Sequence, residues 1–103
     1  MSRIRSLVLQ RIPDERDLSV QVAETVHAGI IADDIQRLGG DLLTHVEVFD
    51  LFQGGKVPKG RKNLAFRMIY QSLDRTLVSD EVQQIHTKIA AEIAKKYQAA
   101  FQS

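Results

Sequence analysis

Between Lys56 and Arg75 the chain sets six cations, Lys56, Lys59, Arg61, Lys62, Arg67 and Arg75, against a single acid, Asp74. Cations this closely spaced gain free energy by releasing the counterions condensed on a nucleic acid, so the segment is a candidate phosphate-binding surface. A solvated, solubilising loop is the alternative. The imbalance extends along the chain. Residues 1–52 hold five Lys/Arg and nine Asp/Glu, a balance of −4, whereas residues 53–103 hold nine and four, a balance of +5. The formal net charge of +1 therefore hides two electrically opposite halves.

Other chemistries find few residues to use. The chain has no cysteine, which removes disulfides, thiolate nucleophiles, iron–sulfur clusters and thiolate zinc sites together. His27, His45 and His86 show no short ligand spacing. Asp33-Asp34 and Glu47 with Asp50 are the paired carboxylates, but the first pair falls on a helix flank and neither belongs to a recognisable pocket, so both read as solvated charge. Gly54-Gly55 joins two strands instead of opening a helix, and no serine sits in a nucleophile-elbow pattern. The expectation is a chain without catalytic residues, metal or cofactor of its own.

The elements that must carry the basic segment fit in one domain, since the chain has 103 residues. With 44% hydrophobic and 26% charged residues the composition is that of a globular protein folding in water. Apolar stretches such as Leu64–Phe66 and Met68–Tyr70 fall far short of the roughly 18 residues of a membrane span. Residues 1–12 read as a linker or an artificial extension, with too short an apolar run, Leu7 to Leu9, for a signal peptide. Residues 13–103 read as the domain.

Asp17 to Ala23 alternates, with Leu18, Val20 and Val22 on one side and Ser19 and Gln21 on the other, as a half-buried strand does. Ala28 to Leu38 returns Ile30, Ile31, Ile35 and Leu38 at helical spacing, and Gly39-Gly40 supplies a left-handed stop. Leu42 to Phe52 and Asn63 to Gln71 form a long hairpin whose glycine-rich tip is basic. A second helix starts near Ser79 and carries Val82, Ile85, Ile89, Ile93 and Tyr97. Ala99 to Gln102 is a short edge strand. The fold class is α+β: a ferredoxin-like split β-α-β (β-α-β-β-α-β) with a four-stranded antiparallel sheet and two helices on one face.

Phase then decides which side chains stay on the open face. Burying Arg67 unpaired costs several kcal/mol, whereas each buried Leu or Phe contributes roughly 1.5–3 kcal/mol. Leu64, Phe66, Met68 and Tyr70 must therefore face the helices, and Arg67 points outward with Ser19 and Gln21 of the neighbouring strand. Val46 and Val48 share one parity while Phe49 and Leu51 share the other, which a bulge near Phe49-Asp50 reconciles. Phe66 on the core side removes the aromatic stacking of a common RNA-recognition motif, so RNA contacts would come from the basic hairpin and from Arg67, Ser19 and Gln21. Arg16-Asp17 and Asp74-Arg75 meet where the first strand starts beside the end of the third, as a cross-strand ion cluster that fixes register, with phosphate contact by Arg16 or Arg75 as the alternative.

Four strings then stand out together: PDERDLSV from Pro13, GGDLLTHVEVFDLF from Gly39, KVPKGRKNLAF from Lys56 and DRTLVSDEV from Asp74. In order and spacing they resemble the ferredoxin-fold anticodon-binding domain of phenylalanyl-tRNA synthetases, over roughly Pro13 to Ser103. The resemblance implies a non-catalytic domain that docks the anticodon stem-loop of phenylalanine tRNA in the cytoplasm, with an organellar matrix as the alternative. It also implies two protein partners, the remainder of the synthetase beta subunit and the catalytic alpha subunit, with ATP and magnesium used in the catalytic domain and not here. By the same resemblance Arg16, Asp17, Asp74 and Arg75 are motif residues, and Lys56, Lys59, Arg61 and Lys62 the basic loop. The chain departs from the family pattern at Val78, where a capping Thr is usual; Glu81 keeps the other half of the box and Ser79 is expected to take over the cap. The rival from another class is a ferredoxin-like module that binds a small molecule or oligomerises through its open sheet.

Overall fold

The computed structural model describes residues 13–72 and 75–101. In chain order the elements are β1 (Asp14–Ala23), α1 (Ala28–Gly39), a 3-10 turn (Gly40–Leu42), β2 (Leu43–Phe52), β3 (Arg61–Tyr70), α2 (Ser79–Tyr97) and β4 (Ala100–Phe101). Three ten-residue antiparallel strands make up most of the sheet, in the order β2-β3-β1. The expected fourth strand is reduced to two residues that pair Val20 with Phe101 and Gln21 with Ala100. Gln102 lies outside the described residues.

The core forms where the two helices cover one face of this sheet. Leu64, Phe66, Met68 and Tyr70 are all fully buried, as the cost of burying Arg67 requires, and Leu18, Val20 and Val22 of β1 lie beside them. From the helices Ile31, Ile35, Val82, Ile89 and Ile93 complete the cluster. Full burial of each such side chain contributes about 1.5–3 kcal/mol, which makes this parity the decisive term in the fold. Ile30 departs from expectation: it is 52% exposed, because the stripe of α1 that meets the sheet runs through Ile31 and Ile35.

At the end of α1 each of the two glycines has its own reason. Gly40 takes φ 64° with ψ −153°, a positive-φ conformation that favours glycine and that ends the helix. Gly39 is still helical, and a Cβ there would stand 2.3 Å from the buried Leu43 side chain, so the chain can turn into β2 only with hydrogen at that position. Gln36 Nε2 donates to the Leu43 carbonyl at 2.5 Å and fastens the same corner.

α2 begins without a side-chain cap. Val78 is the N-cap residue, and its N–H donates to Glu81 Oε1 at 3.2 Å, which is half of a capping box. Ser79 is the first helical residue and does not take over the cap; its hydroxyl instead accepts from Arg16 Nη2 at 3.1 Å. At the far end of α2 the buried Asp34 of α1 forms ion pairs with Lys96 at 2.8 Å and Arg37 at 2.5 Å, and accepts from the Tyr97 hydroxyl. These partners, Lys96 foremost, hold the Asp34 carboxyl far below the usual carboxylate range, and burial with the Asp34 bond pushes the Tyr97 hydroxyl up to about 12.

Candidate nucleic-acid interface

The hairpin between β2 and β3 is bent by glycine. Val57 N–H donates to the Gly54 carbonyl at 2.9 Å and Arg61 N–H to the Pro58 carbonyl at 3.1 Å, and Gly55 and Gly60 take φ of 56° and 83° inside these two turns. The turns lift Lys56 and Lys59 into solvent, where both are exposed. Among the described residues no carboxylate lies within ion-pair distance of either. Their charge is therefore available to a polyanion.

The rest of the basic loop is placed differently. Lys62 lies opposite Val22 on the helix side of β3 and is only 9% exposed. Arg61 is half-buried, and its Nη2 donates to the carbonyls of Gln21 at 2.9 Å and Gln98 at 3.3 Å, tying the hairpin to the end of α2. Of the four cations expected at the tip, two project into solvent and two are built into the domain.

Arg67 does point away from the helices, yet the surface around it is not the cationic one expected. Its register partners are Asp17 on β1 and Glu47 on β2. Nε lies 3.4 Å from Glu15 Oε1 and 3.9 Å from Asp17 Oδ1, and the guanidinium carbon sits 4.5 Å from the centre of the Phe49 ring. Two carboxylates lie within 4 Å of the guanidinium, so its charge is largely matched within the open face itself. Ser19 and Gln21 are half-buried farther along β1, opposite Ala65 and Asn63.

The aromatic surface absent from β3 is present on β2. Val48 pairs with Phe66 but Asp50 with Ala65, so Phe49 is the extra residue of a bulge, where the parity conflict places it. Beyond the bulge Phe52 lies opposite Asn63 on the open face and is 52% exposed, and Phe49 is 42% exposed. Asn63 Oδ1 is buried with no hydrogen-bond partner among the described residues. The exposed Phe52 ring stands at the end of the strand that leads into the lysine-bearing turns, and an exposed aromatic face near cations has the chemistry to stack on an unpaired base. The parity break in β2 is the sequence signal for these residues; its consequence for Phe52 is visible only once the pairing on each side of the bulge is known.

The motif arginines lie at the opposite end of the sheet. Arg16 Nε donates to Asp14 Oδ1 at 2.8 Å, and its Nη1 and Nη2 reach Gln83 Oε1 at 2.5 Å and Ser79 Oγ at 3.1 Å. Arg75 grips both oxygens of Glu81, at 2.5 and 2.7 Å, and with the Val78 N–H holds that carboxyl down at about 2. Neighbours on a strand, Arg16 and Asp17 point to opposite faces, so these two do not share one ion cluster: among the described residues Arg16 pairs with Asp14 and Arg75 with Glu81, and Asp17 lies by Arg67. Asp74 lies outside the described residues. His86 closes this end. Its Nε2–H donates to the Asp17 carbonyl at 3.2 Å, which leaves Nδ1 to accept from the Tyr70 hydroxyl at 3.1 Å; burial lowers the His86 pKa and raises that of Tyr70 to about 12.

Among the described residues no group of three His, Cys, Asp or Glu side chains is arranged to hold a metal ion, and no helix is long and apolar enough to cross a membrane. The model of the ferredoxin-fold anticodon binding domain family matches residues 12–102. Among curated proteins, the phenylalanine–tRNA ligase beta subunit of Bacillus cereus is 38% identical over 84 residues, 82% of this chain. That of Geobacillus kaustophilus is 35% identical over 93% of the chain, and that of Moorella thermoacetica 39% over 89%. The chain spans only 10–12% of the length of these relatives.

Proposed function

The chain belongs to the ferredoxin-fold anticodon-binding family, a non-catalytic part of the ligase, and from that premise we propose that it docks the anticodon arm of phenylalanine tRNA on the hairpin tip and the adjoining part of the open sheet. The observation that carries this reading is the pair Lys56 and Lys59, raised on a glycine-bent loop with no carboxylate partner among the described residues, beside the exposed ring of Phe52. The lysines supply attraction to phosphate, and Phe52 supplies a stacking face for an unpaired loop base. The domain performs no bond-making step. It positions the tRNA for a catalytic alpha subunit, acting in the cytoplasm beside the remainder of the beta subunit.

The test is a titration of an anticodon stem-loop across a range of salt. Replacing Lys56 and Lys59 by Ala lowers the log–log salt slope by about 0.7–0.9 for each phosphate that is no longer neutralised. An unchanged slope and affinity reject the tip as the docking site. A stable dimer indifferent to the RNA supports instead a module that binds a small molecule or oligomerises.

A further inference from the structure

The sequence points to Arg67 as an RNA contact, and its surroundings argue for another role. Glu15 and Asp17 lie within 4 Å of it, Glu47 is its register partner on β2, its Nε is buried with no hydrogen bond among the described residues, and the Phe49 ring lies 4.5 Å from its guanidinium carbon. Phe49 is also the extra residue of the β2 bulge. The bulge sets which face the following residues occupy. If the pairing of Val48 with Phe66 ran on without a bulge, Leu51 would stand opposite Asn63 on the open face and Phe52 opposite Lys62 on the helix side. With the bulge, Leu51 meets Leu64 and Phe52 meets Asn63.

We infer that Arg67 is a positioning residue: held by Glu15 and Asp17, its planar guanidinium seats the Phe49 ring, which fixes the bulge and thereby turns Phe52 onto the RNA-facing side. This rests on the reading of that side as the RNA surface. The carboxylates neutralise Arg67 as a phosphate ligand and orient it as a stacking partner for Phe49. The planar group is what the arrangement needs, so lysine at this position keeps the charge but not the seat.

The experiment compares Arg67→Lys, Arg67→Gln, Phe49→Leu and the Arg67→Gln/Phe49→Leu pair in the 103-residue chain. Strand pairing across Val48–Phe52 is read by NMR in the free protein, and affinity and salt slope with an anticodon stem-loop. Each single variant is expected to disturb the pairing of Asp50–Phe52 and to weaken binding about five-fold at unchanged slope, with the pair no worse than either single. Recovery by Arg67→Lys, with a slope lowered by about 0.7–0.9 in Arg67→Gln, would mean direct phosphate contact and overturn the inference. Unaltered pairing in all variants overturns it too. Should Arg67→Gln fail to fold, Phe49→Leu carries the same test with the ion pairs in place. If the parent chain binds no RNA, the functional proposal fails, while the pairing readout still decides whether Arg67 holds the bulge.

Discussion

The two ends of the sheet use cations in opposite ways. At the hairpin tip Lys56 and Lys59 stand in solvent with no acid at hand among the described residues, whereas at the start of α2 Arg16 and Arg75 are held by Asp14, Ser79, Gln83 and Glu81. The residue types differ as the tasks do. Arginine's fork can hold several acceptors in one geometry, and here it joins a strand to a helix; lysine's compact charge on a flexible stem suits contact with a mobile phosphate chain. Charge density along a sequence therefore does not measure charge available to a ligand.

Stability and binding should separate between these ends, and the largest expected effect on folding is at Arg16. Arg16→Met removes bonds to three partners on β1 and α2 and is expected to cost about 1–2 kcal/mol, read by urea denaturation, without changing the salt slope of RNA binding. A lowered slope would make Arg16 a phosphate contact and dissolve the contrast.

A second, smaller effect is expected from His86 through pH. Burial keeps its pKa below 6.5, so on acidification the unfolded chain takes up the proton before the folded one. The His86 contribution is complete above pH 6.5 and is lost as pH falls below that value; the charged groups facing the ring are Arg16, Asp14 and Asp17. His86→Gln should flatten the stability profile below pH 6.5, measured by thermal melts. At the tip, Lys56→Gln and Lys59→Gln should change stability by no more than about 0.5 kcal/mol while weakening RNA binding. The smallest expected change is at Arg75: its pair with Glu81 is solvent-exposed, and Arg75→Gln should leave RNA affinity unaltered in the same titration.

Much of the architecture is legible because it rests on periodicity. The parity of β3, the stripe of α2 and the stop at Gly39-Gly40 each follow from local chemistry that tertiary contacts reinforce. The site is harder to read. Lys62 belongs to the basic loop in sequence but takes the inward parity of Leu64 and Phe66, and no local signal says that the basic run crosses from loop into strand at Arg61. The company of Arg67 is equally hidden, since Glu15 and Asp17 lie some fifty positions away and reach it only through the antiparallel pairing of β1 with β3. Phe52 escapes notice for a related reason: the parity conflict announces a bulge but does not say which residues change face.

The same irregularity in β2 bears on behaviour in solution. β2 forms one border of the sheet, ten residues long, with Val48, Phe49, Leu51 and Phe52 all exposed along it, which would otherwise invite edge-to-edge pairing between molecules. A kinked border carrying Glu47 and Asp50 is a poor template for a second strand, so the feature that presents an aromatic ring also guards the protein against aggregation.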